Sequence, residues 1–313
     1  MSFLRFCFTL TLLLLVSSAW AEDKPPVDGN AQLRAKAGSS EIVITTTKRL
    51  AGAIHSLTWG GKEFIDSHDH GRQLQSACSF DCGTFKDFWA EAFNPTEAGS
   101  RADGRGEKSA SKLLRFSAKE NEIQSVTQMA FWLAPNEKSS GHPALNTKVL
   151  SDYLLTKKVR LGYKEWAQVL EYEVTFEIPA GEKHTYAQFE ALTGYMPPDF
   201  SQFWKYTLAT RELKPLDDGP GEQETPIIFS TPNGEHAMGV YSPDQPSQGY
   251  EKAGYGRFRF KAEKVVKWNC VFRTREPKGV PAGKYSFRIF VAIGTLKDVQ
   301  VMLDGLAKAF AKP

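Results

Sequence analysis

From Glu41 onward the chain alternates apolar and polar residues in short runs separated by turn-forming clusters. EIVITTT (41–47) and AGAIHSLTW (51–59) set the pattern, and Gly60-Gly61 then turns the chain back into KEFI (62–65). Two glycines supply the positive φ that a tight hairpin turn needs. The same period-two, β-branched and aromatic signal recurs at LLRFSA (113–118), IQSVTQMAFWL (123–133), VLSDYLLTKKVRL (149–161), AQVLEYEVTFEI (167–178) and HTYAQFEAL (184–192). It continues at TPIIFST (225–231), HAMGVYS (236–242), RFRFKA (257–262), VVKWNCVFR (265–273) and KYSFRIFVAIG (284–294). These runs predict strands. Only LKDVQVMLDGLAKAFAK (296–312) carries apolar residues at helical spacing, through Val299, Met302, Leu303, Leu306 and Phe310, with Thr295 placed to cap it. Many strands and one terminal helix predict an all-β protein, a large antiparallel β-sandwich spanning 41–313 as a single domain.

The N-terminus reads differently. Arg5 precedes an apolar core, FCFTLTLLLLV (6–16), and SSAWA (17–21) supplies the small residues of a cleavage site. The run is short for a membrane span, so residues 1–21 are expected to be a signal peptide and the product periplasmic or secreted. Residues 22–40, polar and containing Pro25, Pro26 and Gly29, are expected to be a flexible leader. After signal removal no membrane association is expected.

Composition narrows the classes. The 313 residues are 41% hydrophobic and 24% charged, which excludes a disordered tail, a collagen-like fibre and a coiled coil. Lysine and arginine (39) nearly balance aspartate and glutamate (36), so no basic excess points to nucleic acid. Cys78, Cys82 and Cys270 remain after the signal, enough for one disulfide, with Cys78 and Cys82 the near pair, or for buried reduced thiols. No cofactor is expected, and no metal: His68-x-His70 lacks a clear third ligand.

Four clusters are candidates for chemistry. In IDSHDHGRQLQSA (65–77), a strand would place His68, His70 and Arg72 on one face and Gln73 and Gln75 on the other. Arg72 offers a planar fork of donors for a sugar hydroxyl or carboxylate. The aromatic loop 79–111, with Phe80, Phe85, Phe88, Trp89 and Phe93, either stacks sugar rings or plugs one end of the sandwich. Its segment FNPTEAGSRADG (93–104) offers Asn94 and Glu97, the latter as a general base. In HTYAQFEALTGYMPP (184–198), parity groups His184, Tyr186, Gln188 and Glu190, with Tyr195 and Trp204 following as ring-stacking surface. In KWNCVFR (267–273), Lys267, Asn269 and Arg273 share parity and read as strand-end charges.

The segment AGAIHSLTWGGKEFI followed by GRQLQSA resembles the N-terminal strands of galactose mutarotase-like sandwich proteins. That superfamily includes aldose 1-epimerases, polysaccharide lyase and hydrolase domains, and sugar-binding modules. The resemblance implies the sandwich fold and matches Arg72 to an early substrate-binding arginine in its glycine-arginine context. An epimerase would add a histidine acid, for which His142 and His184 are the mid-chain candidates, and a late glutamate base. The last strand, KYSFRIFVAIG, has no carboxylate to supply that base. The expectation is therefore an enzyme acting on a poly- or oligosaccharide by lyase or hydrolase chemistry, or else a carbohydrate-binding protein. Catalytic candidates are His70, His184, Glu97, Glu190 and Tyr195. Substrate-binding candidates are Arg72, Gln73, Gln75, Asn94, Trp89 and Trp204.

Overall fold

Alternation becomes pairing from the first strand of the structure, a computed structural model that describes residues 27–38, 40–247, 251 and 253–311. The expected signal peptide lies outside the described residues. β1 (Ala31–Ala37) pairs with β2 (Ser40–Thr46) from Ala31↔Thr46 to Ala37↔Ser40. Part of the expected flexible leader is thus a strand. Leu33 and Ala37 lie on one face of the strand and are buried in the core, and that burial gives the segment a reason to order. β3 (Ile54–Trp59) pairs with β2 and turns through Gly60 and Gly61, at φ 59° and 75°, into β4 (Lys62–Glu63), as the two glycines predict.

The remaining elements follow in order. They are β5 (Leu74–Phe80), β6 (Pro95–Thr96), β7 (Lys112–Lys119), β8 (Glu122–Phe131), β9 (Lys138–Ser139), β10 (His142–Pro143), β11 (Leu150–Tyr163) and β12 (Trp166–Ile178). Then come β13 (Tyr186–Met196), β14 (Gln202–Thr207), β15 (Glu212–Pro215), β16 (Gly221–Gln223), β17 (Ile227–Ser230) and β18 (Ala237–Tyr241). The chain closes with β19 (Tyr255–Phe260), β20 (Val265–Arg275), β21 (Gly283–Gly294) and α1 (Leu296–Ala309).

The pairings resolve into two antiparallel layers. One runs β15-β14-β17-β18-β21-β12-β11-β8-β7. The other runs β1-β2-β3-β5-β13-β20-β19-β16. Short β6 pairs with both β5 and β8 and joins the layers at one edge. Between the layers lies an aromatic-rich core in which Phe176 of β12 meets Phe189 of β13, and Phe287 of β21 stacks on Phe272 of β20 at 4.2 Å.

The outer face of the first layer is covered by α1. Its stripe of Val299, Met302, Leu303 and Leu306 packs on Ile228, Ala237, Phe290 and Ala292. Thr295 accepts from the Asp298 amide at 3.1 Å and Asp298 bonds back to the Thr295 amide, a reciprocal cap at the expected position. Each of the helix's four buried side chains, Val299, Met302, Leu303 and Leu306, contributes about 1.5–3 kcal/mol by leaving water. Among the described residues no helix covers the second layer's outer face, and the candidate site opens there.

Candidate functional site

Four neighbouring strands, β5, β13, β20 and β19, form the floor of a cleft of about 470 Å³. Cross-strand partners share a face, so the register assembles the floor in rows. Ser79, Gln188 and Arg273 form one row. Gln75, Thr193, Asn269 and Gly256 form a second, and Tyr195, Lys267 and Phe258 a third.

These rows depend on an irregularity. Gln188 and Glu190 share one parity, and Thr193 and Tyr195 the other. The ladder slips between Glu190 and Leu192, where Val271 and Cys270 are consecutive partners of residues two apart. This bulge at Ala191 turns Thr193 and Tyr195 onto the same side as Gln188 and Glu190. Parity correctly grouped Gln188 with Glu190. Tyr186, grouped with them by parity, is buried against Phe85 and Phe88, with ring centroids 4.9 and 4.7 Å away, and its hydroxyl donates to Gln188 Oε1 at 3.3 Å.

The charged centre is an ion pair. Lys267 Nζ lies 3.0 Å from Glu190 Oε2, which also accepts from the Thr193 hydroxyl at 2.7 Å. Burial pushes the Glu190 carboxyl up, but the Lys267 ammonium and its hydrogen-bond donors outweigh it and hold the group below the usual carboxylate range. For Lys267, burial pulls down and Glu190 more than restores, so the ammonium stays protonated. Its charge also lies over the rings of Tyr195 and Phe258, at 5.3 and 5.2 Å. Burial, opposed by Lys267, raises the Tyr195 phenol. At the next row Arg273 donates to Gln188 Oε1 at 3.2 Å and to Glu222 Oε1 at 2.6 Å. Burial disfavours the guanidinium charge, and Glu222 outweighs it.

Aromatic rings make the walls. Trp89 lies flat on His142, with centroids 4.7 Å apart and planes 5° apart. Trp132 faces the cleft over Gly71, where a Cβ would stand 2.6 Å from the indole. Phe258 and Phe260 are parallel on the far side. Asn94 donates to Cys78 O at 2.7 Å and Ser79 Oγ at 3.1 Å, which ties the Trp89 loop to the floor.

Of the expected residues, the cleft gathers Glu190, Tyr195, Gln75, Asn94 and Trp89. The others stand elsewhere, each for a visible reason. Residues 66–73 form turns rather than a strand, so His68, His70 and Arg72 share no strand face. His70 is buried with both ring nitrogens 3.0 Å from the carbonyls of Gly104 and Arg49, a strut between loops. Arg72 pairs with Asp69 at 3.3 Å and Asp66 at 4.0 Å, outside the cleft lining. Gln73 is buried and donates to Asp69 O. Glu97 is fully buried against Lys157, also accepting from the Ser76 amide at 3.0 Å. His184 is buried in the core against Phe80 and Phe93, 2.6 Å from the Tyr153 hydroxyl, and burial lowers its pKa to about 4. Trp204 donates to Ser230 Oγ at 3.0 Å and packs on the helix side of the other layer.

The aromatic loop divides between both of its readings, Phe80 and Phe93 plugging the core and Trp89 facing the cleft. Cys78, Cys82 and Cys270 are all free thiols, so the near pair forms no disulfide. Lys267 and Arg273, read as strand-end charges, are instead the cations of the cleft. Their shared parity with Asn269 was the available signal, and it was outweighed by their charge.

No family profile and no curated protein matches this chain. Among solved structures it is similar to a protein in glycosyl hydrolase family 38 from Enterococcus faecalis, at 10% identity and a TM-score of 0.52, over 88% of this chain and 32% of that one. This chain thus spans about a third of that protein's length. It is also similar to the Slr1438 protein from Synechocystis sp. PCC 6803, at 10% identity and TM-score 0.45, covering 87% of this chain and 97% of that one. A galactose mutarotase related enzyme from Lactobacillus acidophilus is similar at 8% identity and TM-score 0.42, covering 85% and 98%. The first likeness shows a shared fold. The large antiparallel sandwich with one terminal helix expected from the sequence is the architecture observed, and the likeness assigns no specific family.

Proposed function

We propose that the protein is exported and binds a poly- or oligosaccharide in the cleft above β5, β13, β20 and β19. One observation carries the reading: a floor of fixed polar and charged groups (Gln188, Glu190, Thr193, Asn269) lies between walls of flat aromatic rings (Trp89, Trp132, Phe258). Saccharides present hydroxyls around a ring with apolar C–H faces, so they need oriented hydrogen-bond partners and ring surfaces together. The likeness to a glycosyl hydrolase family 38 protein agrees with this chemistry. Export rests on the apolar N-terminal run and its small-residue end.

A second reading, turnover of the bound glycan, is favoured by Glu190 and Tyr195. The carboxylate is held ionised and the phenol protonated on one face, flanked by the same ammonium. That is a base and an acid in one site, as lyase or hydrolase chemistry requires. His70, His184 and Glu97 take no part, since none reaches the cleft.

The test is a glycan-array screen on the mature protein, with mass spectrometry of every hit. Binding that Glu190→Gln weakens about tenfold supports the cleft, a loss of the size expected for one charge-assisted hydrogen bond. Cleaved product establishes turnover, and an unsaturated product identifies a lyase. Binding that survives both Glu190→Gln and Trp89→Ala at full strength would place the saccharide elsewhere.

A further inference from the structure

The cleft's charges are unevenly matched. Lys267 is paired with Glu190 at 3.0 Å. Arg273 stands between two carboxylates, Glu222 at 2.6 Å and Glu251 at 3.1 Å. Glu91, in the cleft wall beside Trp89, accepts from the Ser139 hydroxyl and forms no ion pair among the described residues. Three carboxylates of the lining, Glu91, Glu190 and Glu222, with Glu251 beside them, therefore outnumber its two cations, and among the described lining residues no cation is left over for an acidic ligand.

Resting on the saccharide reading above, we propose that this cleft prefers a glycan bearing a protonated amine over one bearing carboxylates or sulfates, with Glu91 receiving the amine. An incoming uronate would bring a further negative charge into a site whose guanidinium and ammonium are both engaged. In a partly buried cleft the repulsion is screened less than in open water. An amine meets the opposite situation. It finds a carboxylate whose hydrogen-bonding partner is a neutral hydroxyl, and the wall that holds Glu91 also offers the Trp89 ring for the sugar face. The charge count separates substrate classes that the fold leaves together, because sandwich and aromatic walls serve neutral, basic and acidic sugars alike.

Calorimetric titration of the mature protein against oligosaccharides of several backbones tests this, each offered in free-amine, N-acetylated and carboxylate form. The amine form should bind tightest, by about tenfold over the neutral form, the ratio expected for one added charge contact. Glu91→Gln should collapse that ratio toward one, with an unchanged melting curve showing that the fold is intact. A carboxylate or neutral form binding as tightly as the amine overturns this inference and leaves the saccharide reading standing. A ratio that survives Glu91→Gln overturns the role of Glu91. No binding by any member of the panel overturns the saccharide reading itself, and this inference with it.

Discussion

Glu97 and Lys157 form an ion pair with neither side chain exposed, on the core side of the strands that carry the cleft. Lys157 also donates to Gly52 O at 3.3 Å, and Glu97 accepts from the Ser76 amide at 3.0 Å, so one pair ties four chain segments. Removing one partner strands the other's charge in the interior. Lys157→Met is expected to destabilise by about 3–5 kcal/mol, while adding Glu97→Gln should restore much of the loss, both read from urea unfolding. Equal stability of Lys157→Met and wild type would mean that water reaches the pair. His184 gives a pH signature of its own. Its folded pKa of about 4 lies below the ordinary 6.5, mainly through burial, with Asp81 opposing. As pH falls from 6.5 toward 4, the unfolded chain takes up a proton that the folded chain refuses, and stability declines across that window by up to roughly 3 kcal/mol. The urea midpoint of His184→Gln should then fall less between pH 7 and 4.5 than that of wild type. Parallel declines would assign the loss to other groups.

At the scale of elements, two irregular places matter most. The Ala191 bulge decides which side chains of β13 face the cleft. Strand existence was legible from alternation, but a one-residue slip reverses every later side chain, and nothing in HTYAQFEALTGYM marks where it falls. The shared face that a strand would have given His68, His70 and Arg72 does not form: Asp66 and Asp69 accept from the backbone amides of His68 and Gly71, at 2.9 Å each, and build turns there. The helix, by contrast, was legible from its cap and stripe. Gly305 within it meets the Trp166 ring, where a Cβ would stand 2.1 Å from the indole. Gly→Ala in a helix normally stabilises by about 1 kcal/mol, and overpacking costs about 1–3 kcal/mol. Gly305→Ala is therefore expected to lower the melting temperature, because the new methyl would overlap the indole and force Trp166 from its place on the helix. A rise would show that Trp166 swings away freely.

For the whole molecule, one aromatic-rich core lies between both layers, and β6 stitches them at one edge. Such a core predicts a single cooperative unfolding transition, with calorimetric and van't Hoff enthalpies that agree. Two resolved transitions would divide 41–313 into separately folding halves. The cleft belongs to this scale, since its residues come from positions as distant in sequence as Gln75, Glu190 and Lys267.

Alternation, turn glycines and helix spacing are local properties, and by themselves they determined the all-β class, the terminal helix and most strand positions. They also named Glu190, Tyr195, Gln75, Asn94 and Trp89, because polar and aromatic residues on strands and loops are conspicuous one at a time. Which of the named residues face one another was decided only in three dimensions. Glu97 and His184 look as catalytic in the chain as Glu190 does, yet they were drawn into the core, where Lys157 pairs with the one and the Tyr153 hydroxyl meets Nε2 of the other. Lys267 and Arg273 look like surface charges, yet register set them beside Glu190 and Glu222. Cross-strand register, a single bulge and the pairing of buried charges depend on residues far apart in the chain, and no window of sequence holds both partners.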